Sequence, residues 1–319
     1  MRIGVMAAGA VGGYFGARFA AAGHDVTFFA RGAHLEALRR DGLKIESPLG
    51  DLHLASVNAT DDPTSVQPVD FALFAVKLWD TEDAGRRLKP IVGPDTRVIS
   101  LQNGIDSVEK LQPILGEDVV VGGSAYIGST IVAPGVIRHS SQFAHFHCGR
   151  LDGKSDPKLQ ALADAATAAG IKGVKVSDQM LRDLWQKFVF LVGLSSATGS
   201  TRQSIGPILA DPDTRKFYYD LMAEVVAVGR HKGIPIPADV ADKQLEFSQT
   251  LAPGQKASLL YDLERGNRLE LDWLAGRVVE LGHALGIPTP ANQAAYTVLK
   301  LHRMGAIGVR ENSNLKTNA

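Results

Sequence analysis

The opening residues, MRIGVMAAGAVGGYFG, constrain the fold more than any other stretch of the chain. Residues 2–6 read as a strand, and residues 11–22 as a helix rich in small side chains. A glycine-rich turn joins the two. A strand that passes straight into a helix is the first half of a βαβ unit, which calls for a parallel sheet with helical crossovers. In this context the turn predicts a dinucleotide site. Gly9 lets the backbone approach a pyrophosphate seated on the helix N-terminus, and Gly12 lets helix and strand pack closely. Gly13 and Gly16 add further small surface. The cofactor-binding turn thus comprises Ala7, Ala8, Gly9, Ala10, Val11 and Gly12, with Ala7 in the place of the usual first glycine. The competing reading is a tight turn that holds nothing.

The second strand, residues 25–30, decides which dinucleotide. An NAD site commonly carries an acid at its end, to accept from the ribose hydroxyls. Here DVTFFA runs into Arg31. A guanidinium suits a 2′-phosphate, so the expected cofactor is NADPH/NADP. The alternative is an ordinary surface arginine.

Further along, residues 33–41 are helical and residues 43–54 form a hairpin around residues 48–50. Residues 70–76 are a continuous apolar run, as expected of a buried parallel strand; residues 97–101 and 119–125 are further strands, and residues 142–148 add an antiparallel one. After residue 176 the pattern changes to helices: 178–196, 213–232, 237–249, 259–285 and 290–305. Asp211 or Asp213 caps the second of these, and Tyr218 and Tyr219 lie within it. The last ten residues, RENSNLKTNA, are polar and expected to fray. The predicted fold class is an α/β Rossmann-type doubly wound sheet domain, residues 1–176, followed by an all-α helical domain, residues 177–319.

The chain's 319 residues suffice for two domains. Lys+Arg and Asp+Glu each total 34, so charge supplies no reason to expect nucleic acid or a membrane surface as partner. The only cysteine, Cys148, excludes an intrachain disulfide and fits a reducing compartment. No apolar run reaches the roughly 18 residues of a spanning helix. MRIGVM enters a strand directly, without the pattern of a signal peptide. These features predict a cytoplasmic protein. A homodimer stays open. His145 and His147 of HFH share one face of a strand, but a metal needs a third ligand and none is expected. Cys148 faces the other way, into the core, and Trp185 and Trp273 read as helix packing.

Three further sets of polar residues carry chemistry. FAVK and SLQNG end two strands and place Lys77 and Asn103 at their carboxyl ends, where open α/β sheets bind ligands. LWQKFVFLVGLSS is an almost wholly apolar helix with Lys187 inside it, and such a charge is costly without a partner or a task. In KASLLYDLERGNRLELDWLAG, Ser258 and Glu270 stand twelve residues apart, which on one continuous helix puts them on a common face. Snorkelling of Lys187 to water, and solvated positions for Ser258 and Glu270, are the plain alternatives.

Taken together, GAVGG, Arg31, Lys77 in VK, Asn103 in QNG, Lys187 in WQK and the Ser258/Glu270 pair resemble the ketopantoate reductase (2-dehydropantoate 2-reductase) family over nearly the whole chain. The resemblance implies a Rossmann domain and a helical domain like the C-terminal one of 6-phosphogluconate dehydrogenases. It implies NADPH-dependent reduction of a 2-oxo acid, 2-dehydropantoate to pantoate, in pantothenate biosynthesis. Lys187 corresponds to the general acid and Glu270 to the acid that orients it. Asn103 and Ser258 correspond to substrate-binding residues, and Lys77 to one near the nicotinamide and ribose.

Three positions depart from the family pattern. Leu191 and Ser195 stand where asparagines line the substrate pocket, and Asp80 stands where a glutamine is common. Ser196 and Thr201 are candidates to compensate. The altered wall points to a second reading, a paralogue that reduces a more apolar 2-oxo acid. Two others stay open: a related dehydrogenase run toward oxidation, and a non-catalytic NADP-binding sensor.

Overall fold

In the computed structural model, residues 1–306 are described; the RENSNLKTNA tail lies outside them. The chain divides into two compact units, Met1–Leu184 and the residues from Trp185 on. The first unit contains strands β1 (Arg2–Met6), β2 (Asp25–Phe29), β3 (Leu43–Glu46), β4 (Leu52–Leu54), β5 (Asn58–Thr60), β6 (Phe71–Phe74), β7 (Arg97–Ser100), β8 (Val120–Ala133), β9 (Val136–Gly149) and β10 (Lys175–Val176). Its helices are α1 (Ala10–Ala21), α2 (Gly32–Asp41), α3 (Thr81–Leu88), α4 (Ser107–Leu115) and α5 (Pro157–Ala168).

The strands form one sheet in the order β4-β3-β9-β8-β7-β6-β1-β2-β5, with β10 against β9. From β8 to β5 every neighbouring pair is parallel. Strands buried on both faces read as unbroken apolar runs, as FALF of β6 does. The order reverses between β1 and β6. A ligand crevice opens at such a switch point, beyond the carboxyl ends of the strands.

The long hairpin of β8 and β9 extends well past the expected strand ends of 125 and 142, and turns where Gly135 adopts φ +76°. The Pro134–Gly135 pair was the signal for this turn. His145 and His147 do lie on one face of β9, where their rings stack 5.4 Å apart and both meet Tyr126. Cys148 is buried on the other face, and burial pushes its thiol up to about 12.

The helix α6 (Met180–Thr201) carries the chain into the second unit. There follow α7 (Ile205–Ala210), α8 (Pro212–His231), α9 (Val240–Gln249), α10 (Ser258–Glu264), α11 (Ala275–Leu285) and α12 (Pro290–Leu299). A helix apolar on every side belongs in a core, and α6 buries Trp185, Phe188, Val189, Val192 and Ala197. Its glycines let neighbours close in: a Cβ on Gly193 would lie 2.5 Å from Met222 Cγ of α8. Asp211 caps α8 by accepting from the backbone N–H of Asp213 and of Thr214. Glu224 accepts from the backbone N–H of Ala291 and of Asn292 at the start of α12, at 2.7 and 2.9 Å.

One expectation fails here. Residues 259–285 are not one helix. The chain stops at α10, reverses at Gly266 (φ +67°), and closes the turn with Asn267 N–H donating to the Asp262 carbonyl at 2.8 Å. A short 3-10 turn, Leu271–Trp273, then leads into α11. Ser258 and Glu270 therefore share no helical face, and Trp273 is half-buried on that turn rather than packed within a helix. A glycine followed by asparagine is a strong helix stop that the twelve-residue spacing overrode. Similarly, the last helix ends at Leu299 and continues as a 3-10 turn, Lys300–His302.

Two glycines of the first turn are predicted to behave oppositely. At Gly12 a Cβ would press into the Ala7 carbonyl oxygen and lie 2.9 Å from Val5; at Gly9 it would meet nothing within 4 Å. Gly12→Ala should destabilise the first unit by about 1–3 kcal/mol in urea unfolding, and Gly9→Ala should leave the midpoint in place. Equal midpoints for the two variants would contradict this packing.

Candidate functional site

In the first unit the candidates gather at the carboxyl ends of β1, β2, β6 and β7. The α1 N-terminus has no side-chain cap and no acid in its first turn, and its N-cap Gly9 is in extended conformation. Unpaired N–H groups and the positive end of the helix dipole attract an anion, and the open space above Gly9 admits one. The residues present therefore fit a dinucleotide pyrophosphate. Ala7, in the first-glycine position, contributes its carbonyl to the wall against which Gly12 packs. Ala8 N–H donates to the Phe29 carbonyl at 2.7 Å, which ties the turn to the end of β2. Arg31 is the N-cap residue of α2, with its guanidinium 60% exposed and 3.9 Å from the Asp80 carboxylate.

Lys77 lies three residues past the end of β6 and is exposed, its Nζ 5.7 Å from the centre of the Trp79 ring. Asn103, half-buried, follows β7 and precedes Gly104, which turns the chain at φ +83°. A residue not among the sequence candidates, Gln102, holds both loops in place. Gln102 is buried, and its amide donates to the Val76 carbonyl at 3.0 Å and to Thr81 Oγ1 at 2.8 Å. It thereby links the residue before Lys77 to the residue before Asn103. The signal was present in SLQNG, where a glutamine sits between a buried strand and the candidate asparagine.

In the second unit, Lys187 lies on α6 with Leu191 and Ser195 one and two turns further along the same side. The residue keeps part of its surface, yet burial around the ammonium pulls its pKa down to about 8, against the opposing attraction of Glu270. Glu270 is 9% exposed and opens the turn before α11. So the structure couples Lys187 to Glu270, although the expected helix between Ser258 and Glu270 does not exist. Ser258 stands exposed in the first turn of α10; its neighbour Leu259 packs on Gly199 of α6. Leu191 is half-buried. Ser195 is wholly buried and its Oγ has no hydrogen-bond partner. Ser196 is buried too, and Thr201 Oγ1 donates back to the Ala197 carbonyl at 2.8 Å, so its hydroxyl is already engaged.

The arrangement has two chemical capacities. One is an anion cradle with a cation at the end of β2, Arg31, that is held in an exposed ion pair with Asp80. The other is an ammonium of lowered pKa beside a carboxylate, suited to giving up a proton near neutrality. The role of Gln102 can be tested on its own. Gln102→Leu should cost about 1–3 kcal/mol of stability and loosen dinucleotide binding in a fluorescence titration; unchanged values of both would contradict it.

Comparison with known proteins bears on what these capacities serve. Residues 3–153 match the family described as "Ketopantoate reductase PanE/ApbA", and residues 179–303 match its C-terminal counterpart. A PanE/ApbA family ketopantoate reductase from Ralstonia eutropha JMP134 is 33% identical, with 95% of this chain and 98% of that one covered and a TM-score of 0.86. A 2-dehydropantoate 2-reductase from Geobacter metallireducens GS-15 is 28% identical, with 94% and 99% covered and a TM-score of 0.87. A 2-dehydropantoate 2-reductase of Archaeoglobus fulgidus is 30% identical, with 95% of this chain and 97% of that protein covered. The chain belongs to the ketopantoate reductase family, a family of NADP-dependent oxidoreductases.

Proposed function

We propose that this chain reduces 2-dehydropantoate to pantoate with NADPH, and that Lys187 is its general acid. The observation that carries the reading is the Lys187 ammonium, set in an apolar helix, drawn down to about 8 by burial and only partly offset by Glu270. A cation there is worth its desolvation if negative charge develops beside it.

The turn from Ala7 to Gly12 and Arg31 would hold the dinucleotide, with Lys77 and Asn103 toward its nicotinamide end. The bound cofactor supplies a hydride to the ketone carbon. As charge builds on the carbonyl oxygen, Lys187 Nζ stabilises it and delivers a proton. At pH 7 a lysine of pKa about 8 is mostly protonated, and it parts with that proton more readily than an ordinary lysine does. Glu270 orients the ammonium and offsets its burial. Asn103 and Ser258 bind the substrate, including its carboxylate. The division of labour falls near residue 177, between a dinucleotide-binding part, residues 1–176, and a helical catalytic part, residues 177–319.

The partner is a small molecule. Among the described residues no helix is long and apolar enough to cross a membrane. A cytoplasmic location and a homodimer belong to the same proposal, and sedimentation of the full chain decides the second.

Leu191 and Ser195 favour one second reading. An apolar side chain one turn from Lys187, followed by a buried hydroxyl without a partner, suits a 2-oxo acid with a more apolar tail. Both readings are tested by loss of NADPH absorbance with 2-dehydropantoate and with 2-oxo acids that lack its 4-hydroxyl. Higher kcat/KM on 2-dehydropantoate supports the first; the reverse order supports the second. Lys187→Ala should lower kcat about 10²–10⁴-fold and leave NADPH binding intact. Turnover undiminished in that variant would contradict the assigned role. NADPH binding without turnover of any 2-oxo acid would point to a sensor.

A further inference from the structure

Arg31 does not face the solvent alone. Its Nη2 lies 3.9 Å from Asp80 Oδ2, and the two side chains are 60% and 42% exposed. The carboxylate arrives from a different strand. Asp80 follows β6, and β1 with its glycine-rich turn lies between β6 and β2. At the end of β2 the chain runs Phe29, Ala30, Arg31, Gly32 and offers no acid. The loop after β6 supplies one at that place.

The two groups make opposite demands on a dinucleotide. A guanidinium binds a 2′-phosphate; a carboxylate accepts from a free 2′-hydroxyl and repels a phosphate. An exposed ion pair is weak, so a phosphate can take Arg31 from Asp80 at small cost. What persists is the repulsion between Asp80 and a group of charge near −2 held by the same arginine.

We propose that Asp80 sets the cofactor selectivity of this chain: paired with Arg31, it weakens the hold on the adenosine 2′-phosphate and lets NADH occupy the same site. The inference rests on the reading of Arg31 and the glycine-rich turn as the dinucleotide site. Asp80 is also the N-cap residue of α3 but makes no capping hydrogen bond. Asparagine there keeps the size and the capping capacity while removing the charge.

The test is equilibrium binding of NADPH and of NADH to the full chain, read by nucleotide fluorescence, for the wild type, Asp80→Asn and Arg31→Ala. Asp80→Asn should tighten NADPH about three- to tenfold and leave NADH unchanged or weaker. The gain should shrink at high salt, as exposed charges are screened. Asp80→Asn that moves both dinucleotides equally, or neither, overturns the proposal. Arg31→Ala should loosen NADPH and spare NADH. If it leaves NADPH binding as in the wild type, the 2′-phosphate reading of Arg31 itself fails, and that result is distinct from a failure of Asp80 alone.

Discussion

A cation on an apolar helix has to be compensated, and the arrangement of the second unit follows from that requirement. α6 is largely buried, with its own Trp185, Phe188, Val189 and Val192 in the core. Water around Lys187 is reduced enough to draw its pKa to about 8. Glu270 opposes that shift, and it reaches its position only because the chain breaks after α10 and returns through the turn at Gly266. A continuous helix through residues 259–285 would have carried Glu270 elsewhere. The break thus belongs to the proposed site, because it sets where Glu270 lies in the chain's path.

The first unit meets a different requirement. A parallel sheet with its order reversed between β1 and β6 gathers loops at one end, and the side chains on those loops then need fixing. The glycine-rich turn is held by Ala8 N–H on the Phe29 carbonyl, and the loops carrying Lys77 and Asn103 by the Gln102 amide. One tether is a backbone hydrogen bond and the other a buried side-chain amide bonded to a backbone carbonyl and a hydroxyl, and both tolerate little displacement because a lost partner leaves a polar atom unsatisfied.

Much of this was legible in the sequence because the signals were local. A strand, a glycine turn and a helix in succession announce a βαβ unit, and Arg31 stands at a fixed distance from it. The apolar helix around Lys187 was equally plain, since an isolated charge in such a run stands out. What escaped was set by contacts distant in sequence or by competing signals. The helical period of LLYDLE continues through LDWLAG, and it masked the stop at Gly266–Asn267. The hairpin of β8 and β9 grew past its apolar core because main-chain pairing does not need apolar side chains. Gln102 resembled any buried strand-end residue, since its partners Val76 and Thr81 lie more than twenty residues away. The pairing of Arg31 with Asp80 also depends on strand order, which no local pattern discloses.

The central claim is that the proton comes from Lys187 and that Glu270 holds that proton in place. The pH dependence of kcat/KM reports the ionisations of the free enzyme. A wild-type profile that falls as pH rises through about 8, together with a fall at lower pH in Glu270→Gln, is the result the account predicts, because removing the carboxylate removes an attraction that raises the lysine's pKa. A profile flat through this range, or a fall unmoved by Glu270→Gln, would contradict it.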